Sequence, residues 1–319
     1  MKLVTIDSVR GGEPGALLPS GEVLALRRAA QADSLEAWLP ESLRELLAGG
    51  PAALALVRGL VDRVQADTGL QDRLRQRGAL MPPGTRLLAP VPNPGLVVAA
   101  GLAYKSHLAE MAGTPAPRQP TGFLKVATSI VGPERAVALP ADAPAHVDYE
   151  GELAVVFGRR CHRVSAEQAM ACVAGYTVAN DISARDWVRD VWGATQPWEA
   201  RQTWEVNIMG KQFEGFTPLG PVLLTADEVP DVGRLHITTH LNSALMQSSP
   251  VSDLIFSLPE TIAHFSRWYC FNAGDVLLTG TPAGVGAGRK PPVFMKAGDV
   301  IEVAISGIGT LRNTLVAAR

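Results

Sequence analysis

The run Asp148-Tyr149-Glu150-Gly151-Glu152-Leu153 sets two glutamates one residue apart, just before the apolar stretch Leu153 to Phe157. On an extended chain successive side chains alternate, so Glu150 and Glu152 project from the same face. Two carboxylates held that close repel each other, and once buried they require a cation or a shared proton. Taken alone, the pair reads equally as a cation site or as a solvated strand end. A third acid, Asp181, closes the apolar stretch Val178-Ala179-Asn180-Asp181. Three carboxylates with open positions suit a hard, oxygen-preferring ion such as Mg²⁺ or Mn²⁺. Zinc fits less well, because no Cys or His accompanies the acids at ligand spacing. Arg185, four residues further on, could balance the acids, hold a substrate carboxylate, or form a structural ion pair.

A second constellation is Tyr104-Lys105-Ser106-His107-Leu108-Ala109-Glu110. In a helix His107 and Glu110 share a face, and a carboxylate beside an imidazole orients the ring and raises its basicity. That is what a water-activating base requires; an exposed polar helix face accounts for the same spacing. Lys125 and Lys211 both sit in apolar surroundings, where a cation can hold an enolate or carboxylate, or simply snorkel from a strand edge. Near the C-terminus, Thr279-Gly280-Thr281-Pro282-Ala283-Gly284-Val285-Gly286-Ala287-Gly288 follows a strand-like run. Nucleotide-binding glycine loops need a helix opening at the glycines or a Gly-Lys-Ser/Thr ending. Here Pro291-Pro292 follows closely, so a loop whose backbone approaches a small substrate is the better reading.

The elements that must position these groups are mostly short β-type runs parted by Gly and Pro. They are Leu96 to Ala100, Leu153 to Phe157, Pro221 to Leu224, Leu235 to Leu241, Val276 to Leu278 and Val300 to Ile305. Few helices intervene: one is Ser165–Val173, with a capping box from Ser165 and Gln168, and another is Leu258–Tyr269. Many strands without regular helix alternation predict a mixed α/β, mainly β domain and not a doubly wound parallel sheet. Ahead of it, strand runs at Leu3 to Val9 and Val23 to Leu26 and a helical region from Ser42 to Arg77 predict a smaller N-terminal α+β domain. Met81-Pro82-Pro83-Gly84 marks the boundary, giving residues 1–84 and 85–319. A net charge of −2 with no basic run argues against nucleic acid as a partner. No apolar stretch approaches the roughly 20 residues of a membrane span, and the N-terminus lacks a secretory pattern. The odd set Cys161, Cys172 and Cys270 reads as reduced core thiols, and the expected location is cytoplasmic. Four of the six tryptophans, Trp187, Trp192, Trp198 and Trp204, crowd residues 186–205. Such a cluster points to a subunit interface, a core plug or a pocket wall.

Together these segments resemble the fumarylacetoacetate hydrolase superfamily from about Leu96 to the C-terminus. The matching pieces are Gly101-Leu102-Ala103-Tyr104 with His107 and Glu110, Phe123-Leu124-Lys125, Asp148-Tyr149-Glu150-Gly151-Glu152, Asn180-Asp181-Ile182-Ser183-Ala184-Arg185, Gly210-Lys211-Gln212-Phe213 and Gly274-Asp275 through Gly286. The resemblance implies a β-sandwich or β-roll catalytic domain, a homodimer, and Mg²⁺ or Mn²⁺ held by Glu150, Glu152 and Asp181. It implies His107 with Glu110 as the water-activating dyad, on a segment that orders with substrate. Lys211 would lie beside the metal, Arg185 in its surround and Thr281 against the substrate, with Tyr104 and Lys125 as substrate neighbours. Two departures stand out: Val188 where many members have Gln, and Gly215 where many have Thr. The expected reaction is hydrolytic C–C cleavage of a small 1,3-diketo acid, since the dyad would activate water. Oxaloacetate-type decarboxylation, or tautomerisation and isomerisation of an oxo-acid, is the alternative on the same site. A non-catalytic binding protein of the same fold is the third reading.

Overall fold

A computed structural model describes residues 1–8, 11–32, 39–111, 114–186 and 193–318. Trp187, Val188 and Trp192 therefore lie outside the described residues. The chain is mixed α/β and mainly β, as expected. Among the described residues a 12-stranded sheet runs, in spatial order, Leu80–Met81, Val23–Ala25, Glu13–Leu17, Lys2–Ile6, Thr217–Thr225, Val173–Asn180, Gly151–Phe157, Val276–Leu278, Val97–Gly101 and Thr121–Lys125, with two short strands attached. The N-terminal strands thus continue the sheet that carries the acids: Lys2 and Leu3 pair with Leu224 and Leu223. A second sheet orders Ala244–Pro250, His236–Leu241, Val300–Ile305, Gly309–Val316 and Ala136–Ala138.

Alternation along Gly151–Phe157 decides what each face meets. Leu153, Val155 and Phe157 join Val178 and Val222 in a core shared with Ile237, Val303 and Ile305 of the second sheet. Ala154 and Val156 face the other way, into a core built with Leu43, Leu46, Val57 and Leu60 of the N-terminal helices. Those helices are Leu43–Ala48, Gly50–Ala66 and Thr68–Gln76. The break after Ala66 is set by Asp67, which turns extended and accepts the Leu70 N–H as an N-cap. Glu152, two residues before Ala154, lies on the same face of the strand. The capping box at Ser165 forms, but its helix is short, Ala166–Ala169, and passes into a 3₁₀ turn. No helix among the described residues is long and apolar enough to cross a membrane.

Candidate active site

The strand begins at Gly151, and Glu150 extends its pairing by one step, its carbonyl accepting the Asp181 N–H at 2.9 Å. That bond brings Asp181 to the same end of the sheet as the two glutamates. Glu150, Glu152 and Asp181 are all buried, and one carboxylate oxygen from each lies within 4.8 Å of the others. Asn180 adds a clamp from the adjacent strand, its Oδ1 accepting the Glu150 N–H at 2.9 Å.

Three cations surround this cluster. Lys211 Nζ donates to Glu150 Oε2 and Asp181 Oδ2, both at 2.7 Å. Lys125, fully enclosed, bonds Asp181 and donates to the Phe216 carbonyl at 3.1 Å. Arg185 bridges Glu150 and Asp148, its Nε 3.1 Å from Asp148 Oδ2. Burial opposes the charge on Glu150, but Lys211 and Arg185 outweigh it and hold that carboxyl below its usual range. Glu152 is the exception. It has no ion pair among the described residues, and its Oε2 accepts only the Gly280 N–H, at 2.6 Å. Burial, then the charges of Asp181 and Glu150, push its carboxyl well above the usual range. A buried acid with two acidic neighbours and no cation of its own is a site short of positive charge. All-oxygen donors fit a hard divalent ion, so the residues present fit Mg²⁺ or Mn²⁺.

The dyad lies across from the acids. Lys105–Glu110 is helical, and His107 Nδ1 and Glu110 Oε1 are 2.6 Å apart. The helix is docked on the glycine loop: Gly284 N donates to Glu110 Oε2 at 2.8 Å and Ala283 N to Ser106 Oγ at 3.3 Å. Gly280 of the same loop donates to Glu152 Oε2, so one loop joins the dyad to the acids. The loop has only a 3₁₀ turn at Gly286–Gly288, and its amides are used internally. Gly286 and Ala287 donate to Asp148, at 2.6 and 3.0 Å.

The structure thus brings His107, Glu110, Lys125, Glu150, Glu152, Asp181, Arg185 and Lys211 to one end of the sheet. Thr281 is close by, but its hydroxyl donates to the Gly151 carbonyl at 3.0 Å and accepts from Gln247 at 2.8 Å. Tyr104 is fully buried, its hydroxyl near Thr279 and raised above its usual range by that burial. Gly215 is in the left-handed region at φ +80, so its side-chain-free identity has a backbone reason. Three residues escaped the sequence reading: Asp148, Asn180 and Gln247. The first two lie inside motifs that were singled out, as acids or amides beside a ligand. Gln247 carries no local signal, because its partners are far along the chain.

Residues 96–316 match the family model described as Fumarylacetoacetate (FAA) hydrolase C-terminal. A mitochondrial oxaloacetate tautomerase of Bos taurus is 39% identical over 284 residues, spanning 89% of this chain and 82% of that protein. An oxaloacetate tautomerase of Bacillus subtilis (strain 168) is 33% identical over 320 residues, covering 99% and 100%. Among solved structures, a fumarylacetoacetate hydrolase from psychrophilic Exiguobacterium antarcticum superposes with a TM-score of 0.77 at 31% identity, over the whole of both chains. A maleylpyruvate hydrolase from Sphingobium sp. SYK-6, in complex with manganese(II) and pyruvate, gives 0.74 at 26%, again over both whole chains.

Proposed function

This chain belongs to the fumarylacetoacetate hydrolase family, and from that premise we propose that it is a divalent-metal-dependent oxaloacetate tautomerase, interconverting the keto and enol forms. The observation that carries this reading is the near full-length similarity to oxaloacetate tautomerases of an animal and a bacterium. The site's chemistry supports it. Glu150, Glu152 and Asp181 would hold Mg²⁺ or Mn²⁺, and when bound the ion supplies electrophilic polarisation of the 2-oxo group.

Tautomerisation moves one proton between C3 and the oxygen on C2. Glu110 fixes the His107 ring through Nδ1 and leaves Nε2 as the proton acceptor. His107 takes the C3 proton from the keto form, and the resulting imidazolium returns it to the developing enolate oxygen. Lys211, already at the acids, adds positive charge where that oxygen becomes anionic. Arg185 holds Glu150 in place and Lys125 holds Asp181.

A second reading, hydrolysis of an acylpyruvate, is favoured by the manganese- and pyruvate-bound maleylpyruvate hydrolase neighbour. It would use the same dyad on water. It is the less supported of the two, because relatives spanning 82–100% of their own length bear the tautomerase name. Purified protein should be given freshly dissolved oxaloacetate, with enol ultraviolet absorbance and CO₂ release followed in parallel, and acylpyruvate cleavage run alongside. Accelerated keto–enol equilibration that vanishes on exhaustive chelation and returns with Mg²⁺ or Mn²⁺ is the expected result. Unchanged equilibration beside rapid acylpyruvate cleavage would replace this reading with the hydrolytic one, and rapid CO₂ release with decarboxylation.

A further inference from the structure

We infer that Gln247, buried in the second sheet, is a positioning residue that fixes the spacing of Glu150 and Glu152; this rests on the metal-site reading above. In an antiparallel strand, backbone groups point alternately to the two neighbours. The Glu150 carbonyl accepts from Asp181 on one side, and the Leu153 carbonyl accepts the Thr279 N–H at 3.0 Å on the other. Gly151 faces the same side as Leu153. There the neighbouring chain leaves the ladder, because Gly280, at φ +88, turns its amide to the Glu152 carboxylate. Gly151 is buried, and its N–H and C=O would be orphaned, each at the cost of a lost hydrogen bond.

Two side chains replace the missing strand. Gln247 Oε1 accepts the Gly151 N–H at 3.0 Å, and the Thr281 hydroxyl donates to the Gly151 carbonyl at 3.0 Å. Gln247 Nε2 then donates to Thr281 Oγ1 at 2.8 Å and to the Pro282 carbonyl at 2.9 Å. The reverse amide orientation would set donor against donor at Gly151, so the network fixes the assignment. A single amide therefore ties the Glu150-Gly151-Glu152 segment to the glycine loop. Close approach is required for this: a Cβ on Gly151 would lie 2.3 Å from Thr239 Oγ1 and 3.2 Å from Gln247 Oε1.

Gln247→Met keeps the length of the side chain and removes all three bonds. On metal-stripped full-length protein, Mn²⁺ affinity by calorimetry or electron paramagnetic resonance should weaken about 10–100-fold, with the parental circular dichroism spectrum retained. Thr281→Val should also weaken Mn²⁺ binding, whereas Thr281→Ser, which keeps the hydroxyl, should bind within a few-fold of the parent. A folded Gln247→Met with parental Mn²⁺ affinity overturns the inference. Should that variant not fold, equal Mn²⁺ affinity in Thr281→Val and Thr281→Ser overturns it instead. The readout needs no substrate. A parent that binds Mn²⁺, loses affinity in these variants and ignores oxaloacetate would remove the proposed activity and leave Gln247 in its role.

Discussion

Lys211 partners two buried acids at once, so its removal leaves both without their shared ammonium. Breaking a buried ion pair from one side costs about 3–5 kcal/mol, because the surviving charge stays desolvated. Lys211→Met should therefore destabilise the metal-free protein by about that amount in urea unfolding. Saturating Mn²⁺ should restore part of the loss, since a cation returns to the same carboxylates. A metal-free variant as stable as the parent would show that these carboxylates are not held by the lysine. His107 makes the opposite case: its hydrogen-bond partner is Glu110 and not one of the three clustered carboxylates. His107→Ala should cut turnover by on the order of 10² while Mn²⁺ affinity stays within a few-fold, as loss of a proton-transfer group predicts. Loss of Mn²⁺ binding in that variant would make the imidazole a ligand.

At the scale of elements, the glycine loop must sit at one height above the sheet for Gly284 to reach Glu110. Gly284 is at φ +103, and a Cβ there would lie 2.2 Å from the Met246 carbonyl. Gly298 shares the backbone region, at φ +94, with nothing within 4 Å. Gly298→Ala should cost only the backbone term, about 1–2 kcal/mol, with turnover unchanged. Gly284→Ala should cost more and also slow turnover, because the loop must shift off Glu110. Equal effects of the two substitutions on both stability and turnover would contradict that linkage. The acid pair was legible because strand alternation is local: Glu150 and Glu152 share a face wherever the strand goes. Val276–Leu278 and Val300–Ile305 were likewise legible as apolar runs between turns. Ala244–Pro250 was not, since Gln247, Ser248 and Ser249 break its apolar character, and what Gln247 satisfies lies 96 residues back at Gly151. Local pattern records what an element buries. It does not record that Gly280 will abandon its neighbour and leave a backbone pair for a distant amide to fill.

For the whole molecule, the helix Pro197–Met209 stands out as mostly exposed. Trp198, Trp204 and Met209 are 61%, 51% and 65% exposed, with Arg201 stacked on Trp198 at 5.5 Å. A helix of this length is marginal in water without packing, and such aromatic exposure is seldom left uncovered. A second copy of the chain is the expected cover. Light scattering should give about twice the 33.8 kDa chain mass, and the double substitution Trp198→Ala, Trp204→Ala should shift the population toward monomer. A parent that is monomeric at all concentrations would refute this. The bond between Thr281 and Gly151 has a consequence in time as well as space, for it joins residues 130 positions apart. During synthesis the ribosome releases the two glutamates long before the amide of Gly280, the hydroxyl of Thr281 and the side chain of Gln247 exist to hold them. Until then a nascent chain carries these charges in water, and the centre is assembled only after most of the protein has been made. Any metal loading at these carboxylates would accordingly be a late event, after translation of the C-terminal third.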